Sequence, residues 1–168
     1  SATPVQTVGL SKVIGLSVRW NQNCAVKADG TVWCWGHHRS TSDNRPMPVP
    51  GLAGVVQVSV GGNNACAVKA AGTVWCWGMV CHQPDSIDAN TGLENCSCQA
   101  SSQPIQVPGV AGALAVATNA NWISDIDVPF VCVVLRGGAV KCWGSDDHHR
   151  LGNALSLKFT SKTANFCS

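Results

Sequence analysis

The sequence has no tyrosine and little charge: charged residues make up 12% of the chain, and the net charge is +2. A surface that follows nucleic acid carries a strong basic excess, so this balance argues against a nucleic-acid-binding groove. Apolar stretches fall far short of the ~20 residues that cross a bilayer as a helix, and we expect no membrane-spanning segment. Apolar residues still make up 45% of the chain, which argues against disorder, and 168 residues suffice for one domain with a core.

Cysteine, by contrast, is abundant, with ten residues in a chain of 168. An even number of cysteines at repeating intervals is typical of a disulfide framework, and disulfides persist in oxidising compartments. We therefore expect a secreted protein, extracellular or periplasmic, with a cytosolic thiol or zinc protein as the alternative. No signal peptide is visible at Ser1, so we take the sequence as a mature form.

Three copies of one repeat account for most of the chain. A module that begins with Cys and ends with Trp-Gly occupies residues 24–36, 66–78 and, in a more divergent form, 132–144. The apolar segments that precede the modules, at 9–18, 51–60 and 109–118, align without gaps. A long period of this kind is typical of repeat architectures such as propellers.

We expect a single repeat domain over residues 1–168. The repeats cover approximately residues 3–45, 46–102 and 103–152, and residues 153–168 form a C-terminal tail. The second repeat carries an insertion at 79–102, and the third has an enlarged loop around 122–129.

Each module has the pattern of a β-hairpin, because apolar and β-branched residues flank a short turn in which Gly30, Gly72 and Gly138 hold the same place. Three-residue turns ending at these glycines set the two cysteines of a module opposite each other, within reach of a bridge. The predicted disulfides join Cys24 to Cys34, Cys66 to Cys76 and Cys132 to Cys142. Free buried cysteines are the alternative. The period of two along a strand directs the neighbouring tryptophans to the other face, where we expect Trp35, Trp77 and Trp143 to pack in the core.

With these repeats the chain resembles the regulator of chromosome condensation repeat family. Residues 25–36 match the family pattern of an Asp-Gly turn, a β-branched residue, an aromatic and Trp-Gly. Residues 143–152 keep the spacing of its Gly-Gln-Leu-Gly ending, with Arg150 in place of Gln. The resemblance covers roughly residues 3–152, and the cysteines are similar to those of the secreted bacterial branch.

The resemblance implies an all-β fold of β-propeller type with four-stranded blades, and members that mostly bind proteins. Neither the nucleotide exchange activity of the founding member nor the β-lactamase inhibition of another transfers residue by residue to this chain. Three repeats do not close a ring, since propellers typically use about 4–8 blades.

An incomplete ring would expose strand edges and apolar faces, which attract another chain. We therefore expect association: a homo-oligomer such as a dimer that closes six blades, or a place in a larger complex or filament. A compact monomer with permuted strands is the alternative.

Four cysteines lie outside the hairpins: Cys81, Cys96, Cys98 and Cys167. We expect them to pair among themselves, in one of three connectivities that the sequence leaves open. A zinc site formed with His82 is the alternative, although the paired spacing of zinc ligands is missing.

The insertion also carries four oxygen-bearing side chains that loosely resemble a calcium loop: Asp85, Asp88, Asn90 and Glu94. Their positions do not fit the ~12-residue calcium-binding pattern. We therefore favour a solvated loop, and we expect neither a metal nor a cofactor.

Polar clusters follow two of the Trp-Gly modules: His37, His38 and Arg39 after the first, and His148, His149 and Arg150 after the third. On loops at one rim, such side chains could bind an anionic partner or a metal, or titrate near neutral pH, and a solvated rim is the alternative. Trp122 and Asp125 lie in the enlarged third-repeat loop. An aromatic there is a candidate anchor for a protein or glycan, with burial under the loop as the alternative.

These observations favour a binding or assembly subunit over an enzyme. The sequence contains no nucleophile elbow, no paired-histidine zinc motif and no phosphate-binding glycine loop. We predict a disulfide-stabilised structural subunit that contacts a protein partner or self-associates. A glycan-binding lectin is the alternative, and an enzyme with a site assembled in space ranks below it.

Overall fold

The computed structural model describes residues 3–19, 21–38, 41–81, 86–87, 94–95, 98–120 and 129–144. All regular structure in this part of the chain is β-strand. The strands are β1 (Val13–Arg19), β2 (Gln22–Lys27), β3 (Val32–His38), β4 (Thr41–Pro48), β5 (Val55–Val60), β6 (Asn64–Lys69), β7 (Val74–Cys81), β8 (Ser86–Ile87), β9 (Glu94–Asn95), β10 (Cys98–Gln106), β11 (Ala113–Ala120), β12 (Pro129–Leu135) and β13 (Val140–Gly144). None of the described residues forms a helix that could cross a membrane.

The strands group into three antiparallel sheets, which we call the first, second and third blades. The first blade has the strand order β1-β2-β3-β4, the second β10-β7-β6-β5 and the third β11-β12-β13, while β8 and β9 pair with each other. The fold class predicted from the sequence, all-β of β-propeller type, is confirmed. The described blades do not close a ring.

The central hairpin of each blade has the register that the turn chemistry predicts. Cys24 lies opposite Cys34, Cys66 opposite Cys76 and Cys132 opposite Cys142. Each pair is disulfide-bonded, with 4.1 Å between the two Cα atoms. Each bond therefore ties together the two strands of one hairpin: β2 to β3, β6 to β7 and β12 to β13.

Successive blades stack through two apolar interfaces. In the first interface, Val26 and Val32 on the disulfide side of the first blade pack against Val58, Val60 and Trp77 of the second. The second interface repeats this arrangement between the second and third blades and includes Val68, Val74, Val116, Val133 and the partly buried Trp143. Each blade therefore turns its disulfide side toward the next blade and its tryptophan side toward the preceding one. Trp77, at 5% exposed, is enclosed between blades, whereas Trp35 has no preceding blade and is half-buried.

Polar side chains on the first strand of the first and second blades bind the backbone of the next blade. The Ser17 hydroxyl accepts a hydrogen bond from the Val60 N–H at 3.0 Å, and the Ser59 hydroxyl accepts one from the Thr118 N–H at 3.1 Å. The Gln57 amide donates to the Val116 carbonyl at 2.8 Å and accepts from the Val116 N–H at 2.7 Å. Because β1, β5 and β11 each lie at a sheet edge, their free backbone groups are available for such bonds.

We expect Gln57→Leu to lower the free energy of unfolding by about 2 kcal/mol. The substitution removes two hydrogen bonds, each worth about 1 kcal/mol, and leaves both backbone groups of Val116 unpaired between blades. Urea denaturation measures the loss, and Gln106→Leu, at an exposed position on β10, is the matched control with an expected change within about 0.5 kcal/mol. Equal losses in the two variants would contradict a stabilising role for the Gln57 amide.

Candidate binding surfaces at the two ends of the blade stack

Most side chains predicted to contact a partner lie outside the described residues: Arg39, Trp122, Asp125, His148, His149 and Arg150. The backbone of His37 and His38 belongs to β3, where these residues pair with Ser42 and Thr41 at the end of the β3-β4 hairpin. Their binding role stays a prediction.

Residues of the insertion are described only in part. Asp85, Asp88, Asn90 and Cys96 lie outside the described residues, as does Cys167 of the tail. The backbone of Glu94 pairs with Ile87, and the β7-β10 register sets Cys98 opposite Cys81. Within the described ranges no group of three or more His, Cys, Asp or Glu side chains could hold a metal ion. The calcium-like loop and the connectivity of the last four cysteines stay predictions.

The first blade exposes an apolar strand surface. Leu16 and Val18 on β1 are each 62% exposed. The equivalent positions of the other two blades are nearly inaccessible: Val58, Val60, Val116 and Thr118 are 5%, 3%, 3% and 8% exposed. The difference arises because the second and third blades each receive a preceding blade. We call the surface around Leu16 and Val18, with the half-buried Trp33 and Trp35 beside it, the leading face.

The third blade exposes an apolar surface at the opposite end. Val134 and Val140 are 39% and 61% exposed. The equivalent side chains of the other two blades are completely buried: Val26, Val32, Val68 and Val74 are all 0% exposed. Val134 and Val140 lie opposite each other on β12 and β13, and the Cys132–Cys142 disulfide, which is partly exposed, is the next pair on the same side of the blade. We call this surface the trailing face.

The two faces carry apolar side chains whose burial against a partner would be favourable. Complete burial of a leucine or valine side chain contributes about 1.5–3 kcal/mol, so each of these four half-exposed side chains could still contribute about 1 kcal/mol on binding. Contiguous exposed apolar surface is typical of interaction sites, so the two faces are candidate binding surfaces. The sequence shows the repeats that create these faces, but only the stacking of the blades reveals which copies remain uncovered.

The comparisons with known proteins agree with this architecture. The family model for the regulator of chromosome condensation (RCC1) repeat matches residues 55–79, which run from β5 to β7 of the second blade. No curated protein sequence matches the chain.

Solved structures share the fold at low sequence identity. The crystal structure of human WBSCR16 is 20% identical with a TM-score of 0.58, and covers 83% of this chain and 36% of its own. Yeast RCC1 (Prp20) bound to Kap60 is 15% identical with a TM-score of 0.63, and covers 86% of this chain and 34% of its own. Prp20p from Saccharomyces cerevisiae, studied for binding to Gsp1p and histones, is 15% identical with a TM-score of 0.63. This match covers 88% of our chain and 36% of the Prp20p chain.

The chain therefore spans about a third of the length of these structures. Their identities are too low to carry more than the fold. The second blade is therefore similar to a regulator of chromosome condensation repeat, and the described blades share the propeller fold of these structures.

Proposed function

We propose that the chain is a secreted, disulfide-stabilised subunit of β-propeller type that binds a protein partner through its leading and trailing faces, and that it is not an enzyme. The observation that carries this proposal is the contrast between equivalent positions. Leu16 and Val140 are 62% and 61% exposed, whereas every equivalent residue in the interior of the stack is at most 5% exposed.

Two further observations support the proposal. The three hairpin disulfides, and ten cysteines in total, fit an oxidising compartment. Two of the similar structures are of yeast Prp20, one of them bound to Kap60 and the other studied for its binding to Gsp1p and histones. His37, His38 and Arg39, which the sequence predicts to lie on a loop at one rim, would add polar contacts to such an interface.

Affinity capture tests the proposal. The oxidised chain is immobilised and exposed to the extracellular fraction of its source, with Leu16→Glu, Val140→Lys and Ile14→Glu as variants. We expect the immobilised chain to retain a stoichiometric protein partner, which is either a different protein or a second copy of the chain. Retention of that partner should fall when the immobilised chain carries Leu16→Glu or Val140→Lys. Ile14→Glu is the matched control, because Ile14 is 62% exposed and its equivalents Val56 and Leu114 also remain exposed, at 49% and 54%.

Two outcomes would contradict the proposal. If both end-face variants retain the partner as well as the unmodified chain does, the two faces are not part of the binding surface. Retention on an immobilised sugar, with elution by free sugar and no protein partner, would favour a lectin instead.

A further inference from the structure

We infer that the partner of the leading face is the trailing face of a second copy of this chain, so that two copies close one six-bladed ring. The inference rests on the proposed function and names its partner. Two copies with three blades each supply six blades, and closed propellers use about 4–8.

The two interfaces inside the chain are the template for this contact. At each of them the disulfide side of one blade, with Val26 and Val32 in the first case, meets the first strand and the tryptophan side of the next. Among the described residues, the trailing face is a disulfide side without a following blade, and the leading face is a tryptophan side without a preceding one. Each face therefore lacks what the other supplies, whereas two like faces would not match.

The backbone groups at the two ends are complementary as well. The Val55 N–H donates to the Gly30 carbonyl across the first interface at 3.0 Å, and the Ala113 N–H donates to the Gly72 carbonyl across the second at 2.9 Å. The equivalent groups at the ends are the Val13 N–H and the Gly138 carbonyl, which make no bond of this kind in the described part of the chain. A second copy in the same arrangement would join this donor to this acceptor.

The shapes of the two ends also permit the contact. A Cβ atom at Gly30 would lie 2.8 Å from the Gly54 nitrogen, and one at Gly72 would lie 2.8 Å from the Gly112 Cα, so both interfaces require glycine in the turn. The trailing end keeps glycine at this position, as Gly138, with nothing within 4 Å.

On the leading face, Lys12 holds the place of Gly54 and Gly112 and has the same left-handed backbone, with φ of 54°. A Cβ atom at Gly54 meets nothing within 4 Å, and one at Gly112 meets only the Arg136 side chain at 3.9 Å. The side chain of Lys12 therefore leaves the approach of a second copy open.

One feature of the internal interfaces is missing at the trailing face. In the third blade, Ala117 is the equivalent of Ser17 and Ser59, whose hydroxyls accept hydrogen bonds from the following blade. Ala115 is the equivalent of Gln57, whose amide also binds the following blade. The contact between copies would therefore rely on apolar burial and the single backbone bond. We expect an association weaker than the internal interfaces, and hence dependent on concentration.

Light scattering of the purified chain alone, over a dilution series from the micromolar range upward, tests the inference. We expect the mass to rise from 17.5 kDa to twice that value and no further. Leu16→Glu should weaken the dimer by at least ~100-fold, because a cost of only about 1.4 kcal/mol per contact enters twice in a ring of two copies. Ile14→Glu, at an equally exposed position whose equivalents are not covered, should leave the dimer unchanged.

A mixing experiment distinguishes this contact from one between like faces. Leu16→Glu and Val140→Lys should each give monomers, and an equimolar mixture should recover a dimer. In the mixture the intact trailing face of one variant meets the intact leading face of the other, and charges of opposite sign meet at the second contact. Circular dichroism and thermal melting show that each variant is folded before mixing.

A constant mass of 17.5 kDa at every concentration would overturn the inference. So would open-ended growth beyond two copies, or a mixture that stays monomeric. The proposed function is tested separately: a monomer that still retains a different protein through Leu16 and Val140 would sink the inference and leave that function standing.

Discussion

Replacement of Cys66 and Cys76 by alanine is expected to lower the free energy of unfolding by about 4 kcal/mol. The bond closes a loop with a sequence separation of 10 residues, and a loop of this size contributes about 3 kcal/mol by restricting the unfolded chain. Both residues are buried, at 0% and 2% exposed, so the loss of their sulfur atoms leaves a small cavity that costs about 1 kcal/mol more.

The third blade supplies the matched control. Cys132 and Cys142 close a loop of the same separation, 10 residues, but they are partly exposed on the trailing face. Their replacement by alanine should cost only the loop term of about 3 kcal/mol. Urea denaturation under non-reducing conditions compares the two double variants, and a greater loss in the third blade would contradict the packing described here.

Gly72→Ala is expected to cost about 3 kcal/mol. The backbone at Gly72 is left-handed, with φ of 80°, which costs a residue with a Cβ atom about 1–2 kcal/mol. The added Cβ would also lie 2.8 Å from the Gly112 Cα and 2.9 Å from its nitrogen. These are backbone atoms of the next blade, so the blades must separate locally, at an overpacking cost of about 1–3 kcal/mol.

Gly51→Ala separates the two contributions to this loss. Gly51 has φ of 74°, and a Cβ atom there would meet nothing within 4 Å, so its substitution should cost only the backbone strain of about 1–2 kcal/mol. Denaturation midpoints at equal slope give the difference between the variants. Equal losses for the two substitutions would mean that the close approach of the blades does not contribute to stability.

The disulfides also explain how blades outside a closed ring remain ordered. In a repeat protein, stability is approximately the sum of a contribution from each repeat and a contribution from each interface. The terminal blades lack one interface each, and the bonds at Cys24 and Cys132 raise the contribution of those repeats themselves. The disulfide-bonded blades can therefore keep their apolar end faces exposed while they remain folded.

The hairpins and the register of their cysteines follow from the sequence alone. A short turn ending at Gly30 or Gly72 fixes which residues of the hairpin lie opposite each other. Because the pattern occurs three times, one strand register has to fit all three copies. The short apolar strands that recur in each repeat indicate an all-β repeat fold, and the resemblance of the repeats to the regulator of chromosome condensation family implies the propeller class.

The contacts between blades do not follow from the sequence in this way. The hydrogen bonds of Gln57 reach a residue 59 positions away, and no local pattern distinguishes this glutamine from a solvated one. Burial is equally non-local: Leu16 and Val58 are equivalent in sequence, but they are 62% and 5% exposed because only the second has a preceding blade. The candidate surfaces therefore depend on the order of stacking, whereas sequence reasoning favoured polar rim residues such as His37 and Arg39.

Amide hydrogen exchange at Val13 tests the central claim of end-face binding most directly. In a ring of two copies the Val13 N–H would donate to the Gly138 carbonyl of the other copy, so its exchange should slow as the concentration of the chain rises. The Val55 and Ala113 amides, bonded within the chain at 3.0 Å and 2.9 Å, are internal controls that should be far less sensitive to dilution. End-face binding would be contradicted if the Val13 amide exchanged fast and at the same rate at every concentration, and if neither a second copy nor another partner slowed this exchange.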